Sequence, residues 1–205
     1  MNTIAIIDYG MCNLDSVSRA VEECGGLPVV TDQKREIELA SHIILPGVGA
    51  FPEAMHNIKQ RSLDQILREQ VLERHIPLLG ICLGMQLLAS KGLEFTETNG
   101  LDLVPGTVDR FDPSNEEIRI PHVGWNEVYP TRPSNLFDGI PPGKDFYFVH
   151  SYHFCPSDNA DVLATTPYGT GFVSAVQREL VFGIQFHPEK SQRLGFALLK
   201  NFLAL

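Results

Sequence analysis

The chain has 205 residues and a mass of 22.8 kDa, with 43% hydrophobic and 20% charged residues and a mean hydropathy of -0.02. By the usual scale of roughly 100 to 200 residues per domain this is one domain with a sizeable core, and the composition excludes disorder and collagen-like repeats. A formal net charge of -9 with no Lys/Arg cluster argues against nucleic acid, and no stretch approaches the roughly 20 apolar residues of a membrane span.

The N-terminus reaches Asp8 too early for a signal peptide, so a cytoplasmic protein is expected. Cys12, Cys24, Cys82 and Cys155 form no Cys-x-x-Cys pair, and neither a metal nor a cofactor is expected. Apolar runs at Ile4–Ile7, Pro28–Thr31, His42–Leu45 and Pro77–Ile81 alternate with segments of helical spacing, which predicts parallel strands joined by crossover helices. The clearest predicted helix is Ser62–Arg74, with Ser62 and Gln65 as a capping box and Leu63, Ile66, Leu67 and Val71 on one face.

From about Leu103 the pattern turns β-rich, with predicted strands at Phe146–His150, Val162–Thr166, Phe172–Gln177 and Val181–Phe186. Turn clusters at Asp112-Pro113-Ser114-Asn115 and Gly139–Gly143 punctuate it, and a last amphipathic helix from Gln192 to about Phe202 turns Leu194, Leu198, Leu199 and Phe202 inward. The expected fold is a single α/β domain over residues 1–205, a layered and mostly parallel sheet with an antiparallel extension and helices on both faces.

Gly80-Ile81-Cys82-Leu83-Gly84 follows an apolar run and opens a helical segment, the strand, sharp turn and helix of a nucleophile elbow. Glycines two residues either side of Cys82 remove the Cβ atoms that would clash where strand and helix cross. At a helix N-terminus the dipole favours a thiolate, and the Leu83 N–H can face the oxygen of an attacked carbonyl. The run Val181–Phe186 ends in His187-Pro188-Glu189. In an extended chain His187 and Glu189 share a side, so the carboxylate can orient an imidazole that takes the thiol proton and returns it to a leaving amine. His42, His56, His75, His122, His150 and His153 compete for that role. On this reading activity falls on acidification as His187 gains a proton.

Gly80–Gln86 together with Gln185-Phe186-His187-Pro188-Glu189 resembles the class I (triad) glutamine amidotransferases, whose domain is flavodoxin-like. Ile7–Met11, Leu45–Phe51, Pro121–Asn126, Tyr147–Tyr152 and His187–Ser191 resemble the branch that serves imidazole glycerol phosphate synthases in histidine biosynthesis, along essentially the whole chain. The resemblance implies that Cys82 attacks the amide of L-glutamine and forms a thioester, with His187 as base and acid and Glu189 as its orienter. It implies oxyanion donors from Leu83 and from Gly47-Val48-Gly49, and substrate contacts from Gln86, Glu94, His150, Ser151 and Tyr152.

It also implies a partner, a (β/α)8-barrel cyclase that receives ammonia through a protected channel, with Asn13, His122, Trp125, Asn126, Tyr147 and Lys190 at the docking face. Cys12 stands where that branch usually has Gly, and a positive φ there would strain a cysteine. Two alternatives share these motifs: a glutaminase feeding a different acceptor, such as a surface-polysaccharide sugar, and a catalytically silent regulatory module.

Overall fold

A computed structural model describes residues 2–112 and 118–205. Pro113, Ser114 and Asn115 of the first predicted turn cluster lie outside the described residues. The first half contains β1 (Thr3–Ile7), α1 (Leu14–Glu23), β2 (Leu27–Thr31), α2 (Lys34–Glu38), β3 (His42–Leu45), α3 (Phe51–Gln60), α4 (Leu63–Arg68), β4 (Leu78–Ile81) and α5 (Leu83–Leu87). After it come two short strands, β5 (Lys91–Gly92) and β6 (Thr98–Asn99), and then β7 (Gly106–Arg110), β8 (His122–Pro130), β9 (Lys144–His150) and β10 (Tyr152–Pro156). The chain closes with β11 (Val162–Thr166), β12 (Phe172–Arg178), β13 (Val181–Ile184) and α6 (Gln192–Leu203).

Strands β2-β1-β3-β4-β13 lie side by side and all pair parallel, the doubly wound order whose ligands sit at the carboxyl ends of the strands. Within β1, Ile4 and Ile6 join a core layer with Val17 of α1 and Leu198 and Phe202 of α6. Ala5 and Ile7 join the opposite layer with Met55 of α3, Leu67 of α4 and Met85 of α5. A sheet covered on both faces needs apolar side chains in both directions, which is why β1, β3, β4 and β13 read as apolar runs, while the edge strand β2 leaves Leu27 and Val30 exposed.

Beyond β13 the sheet turns antiparallel through β12, β10 and β7, and β11 branches from β12 to the β8–β9 ribbon. This extension holds more strands than the parallel half and includes β7, β8 and β10, which the sequence pattern does not announce. In β8 (HVGWNEVYP) exposed and buried positions mix, and Gly124 sits at φ 136, so neither an apolar run nor a clean alternation marks it.

The predicted helix Ser62–Arg74 is α4 followed by one π-helical turn, Glu69–Glu73. Its capping box does not form. Ser62 has φ 55 and ψ 25, its N–H donates to the Lys59 carbonyl, and its side chain makes no cap bond. Two residues join α3 to α4, so Ser62 is the left-handed residue that closes the first helix rather than the cap of the second. The strand predicted to reach Phe186 ends at Ile184. In α6, Leu198, Leu199 and Phe202 are buried and Leu194 is partly buried, as the spacing predicts. Among the described residues no helix is long and apolar enough to cross a membrane.

Candidate active site

Cys82 occupies the corner between β4 and α5 with φ 54 and ψ -110, held by its N–H donating to the Ile184 carbonyl at 2.8 Å. A non-glycine residue in that region costs about 1–3 kcal/mol and persists only where its surroundings impose it. The close crossing of β4, β3 and α5 imposes it, and the flanking glycines permit that crossing. A Cβ on Gly80 would lie 2.6 Å from the Gly84 carbonyl oxygen, and one on Gly84 would lie 1.7 Å from that of Leu45. The helix that follows has only five residues, so the dipole assigned to it on sequence grounds is little more than that of one turn. What remains local to the sulfur is the N–H of Leu83, which as the first helical residue has no acceptor within its helix.

His187 and Glu189 meet through a tight turn, not through the extended chain that the sequence suggested: Pro188–Lys190 form a 3-10 turn, and His187 Nδ1 lies 2.8 Å from Glu189 Oε1. Both side chains are buried, 4% and 3% exposed. Ser191 Oγ donates to the His187 carbonyl and accepts from the Tyr147 N–H, tying the turn to β9. Gly195 lets α6 pack on the turn, since a Cβ there would lie 1.9 Å from the Pro188 carbonyl oxygen.

The outer nitrogen, Nε2, is buried and has no hydrogen-bond partner among the described residues. Burial disfavours a charged ring here, but the nearby Cys82 sulfur and the Glu189 carboxylate prevail and raise the His187 pKa to about 10. A raised pKa favours the charged ring, so it does not support the expectation that activity falls on acidification through His187. Activity is instead expected to fall as pH rises toward 10, where the ring loses the proton destined for the leaving amine. Because this pKa is raised, the stability it confers is fully present below the ordinary 6.5 and is lost as pH rises through about 10. Urea unfolding of the native chain and of Glu189→Gln over that interval measures it. The difference in stability should shrink toward alkaline pH, and a constant difference would refute the assignment.

A cleft of ≈ 270 Å³ opens at the carboxyl ends of β3, β4 and β13, bounded by Val48, Gly49, Cys82, Leu83, Gln86, Glu94, Val149, His150, Ser151, Tyr152 and His187. Gly47 lies beneath it, where a Cβ would meet the Tyr9 hydroxyl at 2.0 Å. The Val48 N–H donates to the Met11 carbonyl at 2.9 Å, so it is not free to face an oxyanion. Glu94 spends one carboxylate oxygen on the Phe51 N–H at the start of α3.

The Gln86 amide nitrogen donates to the Tyr152 carbonyl and to Gln185 Oε1 at 3.0 and 3.1 Å, which leaves its oxygen as the group to offer a substrate. His150 is excluded as the base. Its Nδ1 donates to the Tyr152 carbonyl, its Nε2 pairs with His122 at 3.0 Å, and burial lowers its pKa to about 3. His42 packs against Phe202, and His153 stacks on Phe111.

Of the residues expected at a docking face, Trp125, Tyr147 and Lys190 form one cluster. Trp125 and Tyr147 are cross-strand partners with ring centroids 6.0 Å apart, and Lys190 Nζ sits 5.7 Å from the Tyr147 ring centre. Trp125 is 48% exposed, and Val123 and Val149 extend the apolar surface beside it. Asn13 is exposed at the head of α1, in the loop whose Met11 carbonyl holds Val48.

His122 does not belong to that surface. It is 3% exposed, stacks on Tyr168 and pairs with His150, while Asn126 Nδ2 lies 3.3 Å from its Nε2. Burial lowers its pKa to about 4, as suits a neutral ring accepting on one nitrogen and donating from the other. Cys12 is not among the residues with positive φ, so the anticipated strain is absent. Its thiol donates to the Pro46 carbonyl at 3.4 Å, and burial raises its pKa to about 11.

Sequence reasoning missed Gln185, which is fully buried with Nε2 3.7 Å from Cys82 Sγ. Its signal was a lone amide inside the apolar run Val181–Phe186, since buried polar groups are retained where they are bonded. Among the described residues no group of three or more His, Cys, Asp or Glu is arranged to hold a metal ion.

Comparison with known proteins adds independent support. The chain is 53% identical over 202 residues to the imidazole glycerol phosphate synthase subunit HisH of Moorella thermoacetica, covering 98% of this chain and 94% of that protein. It is 46% identical over 204 residues to the subunit of the same name from Salinibacter ruber, covering 98% and 93%. Among solved structures, one described as a glutamine amidotransferase matches with a TM-score of 0.74 at 19% identity, covering 98% of each chain. A glutamine amidotransferase from Thermotoga maritima matches with a TM-score of 0.65 at 20% identity, covering 94% of this chain and 78% of the other, and at such identity both show the fold alone. The family model for class-I glutamine amidotransferases matches residues 5–205, and the chain belongs to that family.

Proposed function

We propose that this chain is the glutaminase subunit of an imidazole glycerol phosphate synthase, hydrolysing L-glutamine to glutamate and ammonia in a single amidotransferase domain over residues 1–205. The observation that carries the reading is the convergence of Cys82 and His187 on one cleft, with Glu189 bonded behind His187. In this mechanism the Cys82 sulfur adds to the side-chain amide carbon of glutamine. The oxygen becomes an oxyanion beside the Leu83 N–H, and a second donor from Val48 requires its peptide to turn away from Met11. Collapse of this intermediate forms the thioester and expels ammonia, which takes its proton from His187 Nε2. The same nitrogen then removes a proton from the water that hydrolyses the thioester. Gln86 Oε1 and the free oxygen of Glu94 suit the substrate's ammonium, and the backbone of His150-Ser151-Tyr152 suits its carboxylate.

Ammonia released to water becomes mostly ammonium, which is not a nucleophile, so a sealed route to an acceptor follows from the chemistry. The apolar surface at Trp125 and Tyr147 lies next to the base, since the Tyr147 carbonyl accepts from the His187 N–H. A (β/α)8-barrel cyclase docked there would cap the cleft. The test is glutamine turnover measured with the chain alone and with a barrel cyclase plus its ribonucleotide ligand; stimulation supports the reading, and equal rates would refute the partnership. Trp125→Ala is expected to weaken the complex about 30-fold or more, as loss of an exposed aromatic anchor does, while leaving the unfolding midpoint of the free chain unchanged. Undiminished affinity in a titration would remove Trp125 from the interface.

A further inference from the structure

We infer that Gln185 is a positioning donor for the nucleophile, an amide whose orientation is dictated from the substrate wall and whose N–H holds the Cys82 sulfur in its anionic form. The inference rests on the reading of Cys82 as the reactive thiol.

The hydrogen bonds run in one direction. The carbonyl of Tyr152 can only accept, so the Gln86 amide must present its nitrogen there, and the same nitrogen reaches Gln185 Oε1 at 3.1 Å. Gln185 therefore presents oxygen to Gln86, and its nitrogen is left to point at Cys82 Sγ, 3.7 Å away. Gln185 is fully buried and Gln86 only 5% exposed, so water does not compete for these bonds. On the far side, His150 Nδ1 donates to the same Tyr152 carbonyl at 2.8 Å and fixes the acceptor from which the chain of bonds starts. The Val149 carbonyl also lies 3.8 Å from the sulfur, and it accepts from a thiol but offers nothing to a thiolate. The Gln185 N–H can donate to either form of the sulfur, but a bond to the anion is the stronger, so the amide favours the thiolate while the carbonyl favours the thiol. Among the described residues, the titratable groups that interact with Cys82 are His187, from the turn after β13, and Tyr9, beyond the end of β1.

The experiment follows alkylation of Cys82 by iodoacetamide, mapped by mass spectrometry, across the neutral pH range. In Gln185→Met and Gln185→Leu, the midpoint of the alkylation pH curve should move upward by about one unit, slowing alkylation by up to about tenfold at pH values below the native midpoint. Folded variants with the native curve would overturn the inference and leave Gln185 as packing. Should both variants fail to fold, the native chain decides. Its 15N-labelled Gln185 side-chain amide resonances should shift with the same midpoint as alkylation, and resonances indifferent to it would overturn the inference. Because no glutamine is used, this result is separable from failure of the glutaminase reading, which would show instead as turnover surviving in Cys82→Ala.

Discussion

Cys82→Ala is expected to lower glutamine turnover by at least about 10⁴-fold, because removing a covalent nucleophile leaves only the catalysis supplied by binding and oxyanion contacts. The fold should tolerate the change. Cys82 is buried at 6% exposure, and alanine keeps its Cβ and meets the same backbone demand at φ 54, so the shift in stability should stay within about 1 kcal/mol. The readouts are ammonia release and urea unfolding of the same preparation. Turnover within tenfold of the native chain, in a folded variant, would remove Cys82 from the mechanism.

The second large effect concerns Gly84. A methyl group there would lie 1.7 Å from the Leu45 carbonyl oxygen, and that oxygen is backbone at the end of a buried central strand, with no flexible side chain to give way. Gly84→Ala is expected to destabilise the chain by about 3 kcal/mol or more, and any survivor should lose activity because Leu45 leads directly into the Gly47–Gly49 loop. Gly25→Ala is the matched control. Gly25 has φ +89 but nothing within 4 Å of its added Cβ, so only backbone strain of about 1 kcal/mol applies. If the two variants unfold at the same urea concentration, the close crossing of strand and elbow helix is not what these glycines serve.

The parallel half was legible because both of its faces are covered. Ile4–Ile7 and His42–Leu45 must be apolar on each side, so the run itself is the signal. The nucleophile elbow was legible because two glycines are forced by backbone contact, a requirement that no other residue type meets. The antiparallel extension was opaque where it has an exposed face, as in β8, and where a single residue, Ser151, separates β9 from β10. Ser62 misled because a serine ahead of an apolar run looks like a helix cap whether it starts one helix or ends another. His122 misled in a different way, because a motif marks a segment and not the direction in which each side chain points. The pairing of His187 with Glu189 was anticipated, but the turn that makes it was not, nor was the upward shift of the His187 pKa, which depends on how closely Cys82 and Glu189 approach the buried ring.

The proposed chemistry turns on Cys82 being the sulfur that meets glutamine in the cleft. A glutamine-analogue electrophile such as a diazoketone, followed by peptide mapping, bears on that role without relying on a partner. One covalent adduct per chain is expected, on Cys82, suppressed by excess L-glutamine. An adduct on Cys12, Cys24 or Cys155 instead, or full labelling of Cys82 that glutamine does not suppress, would overturn the assignment.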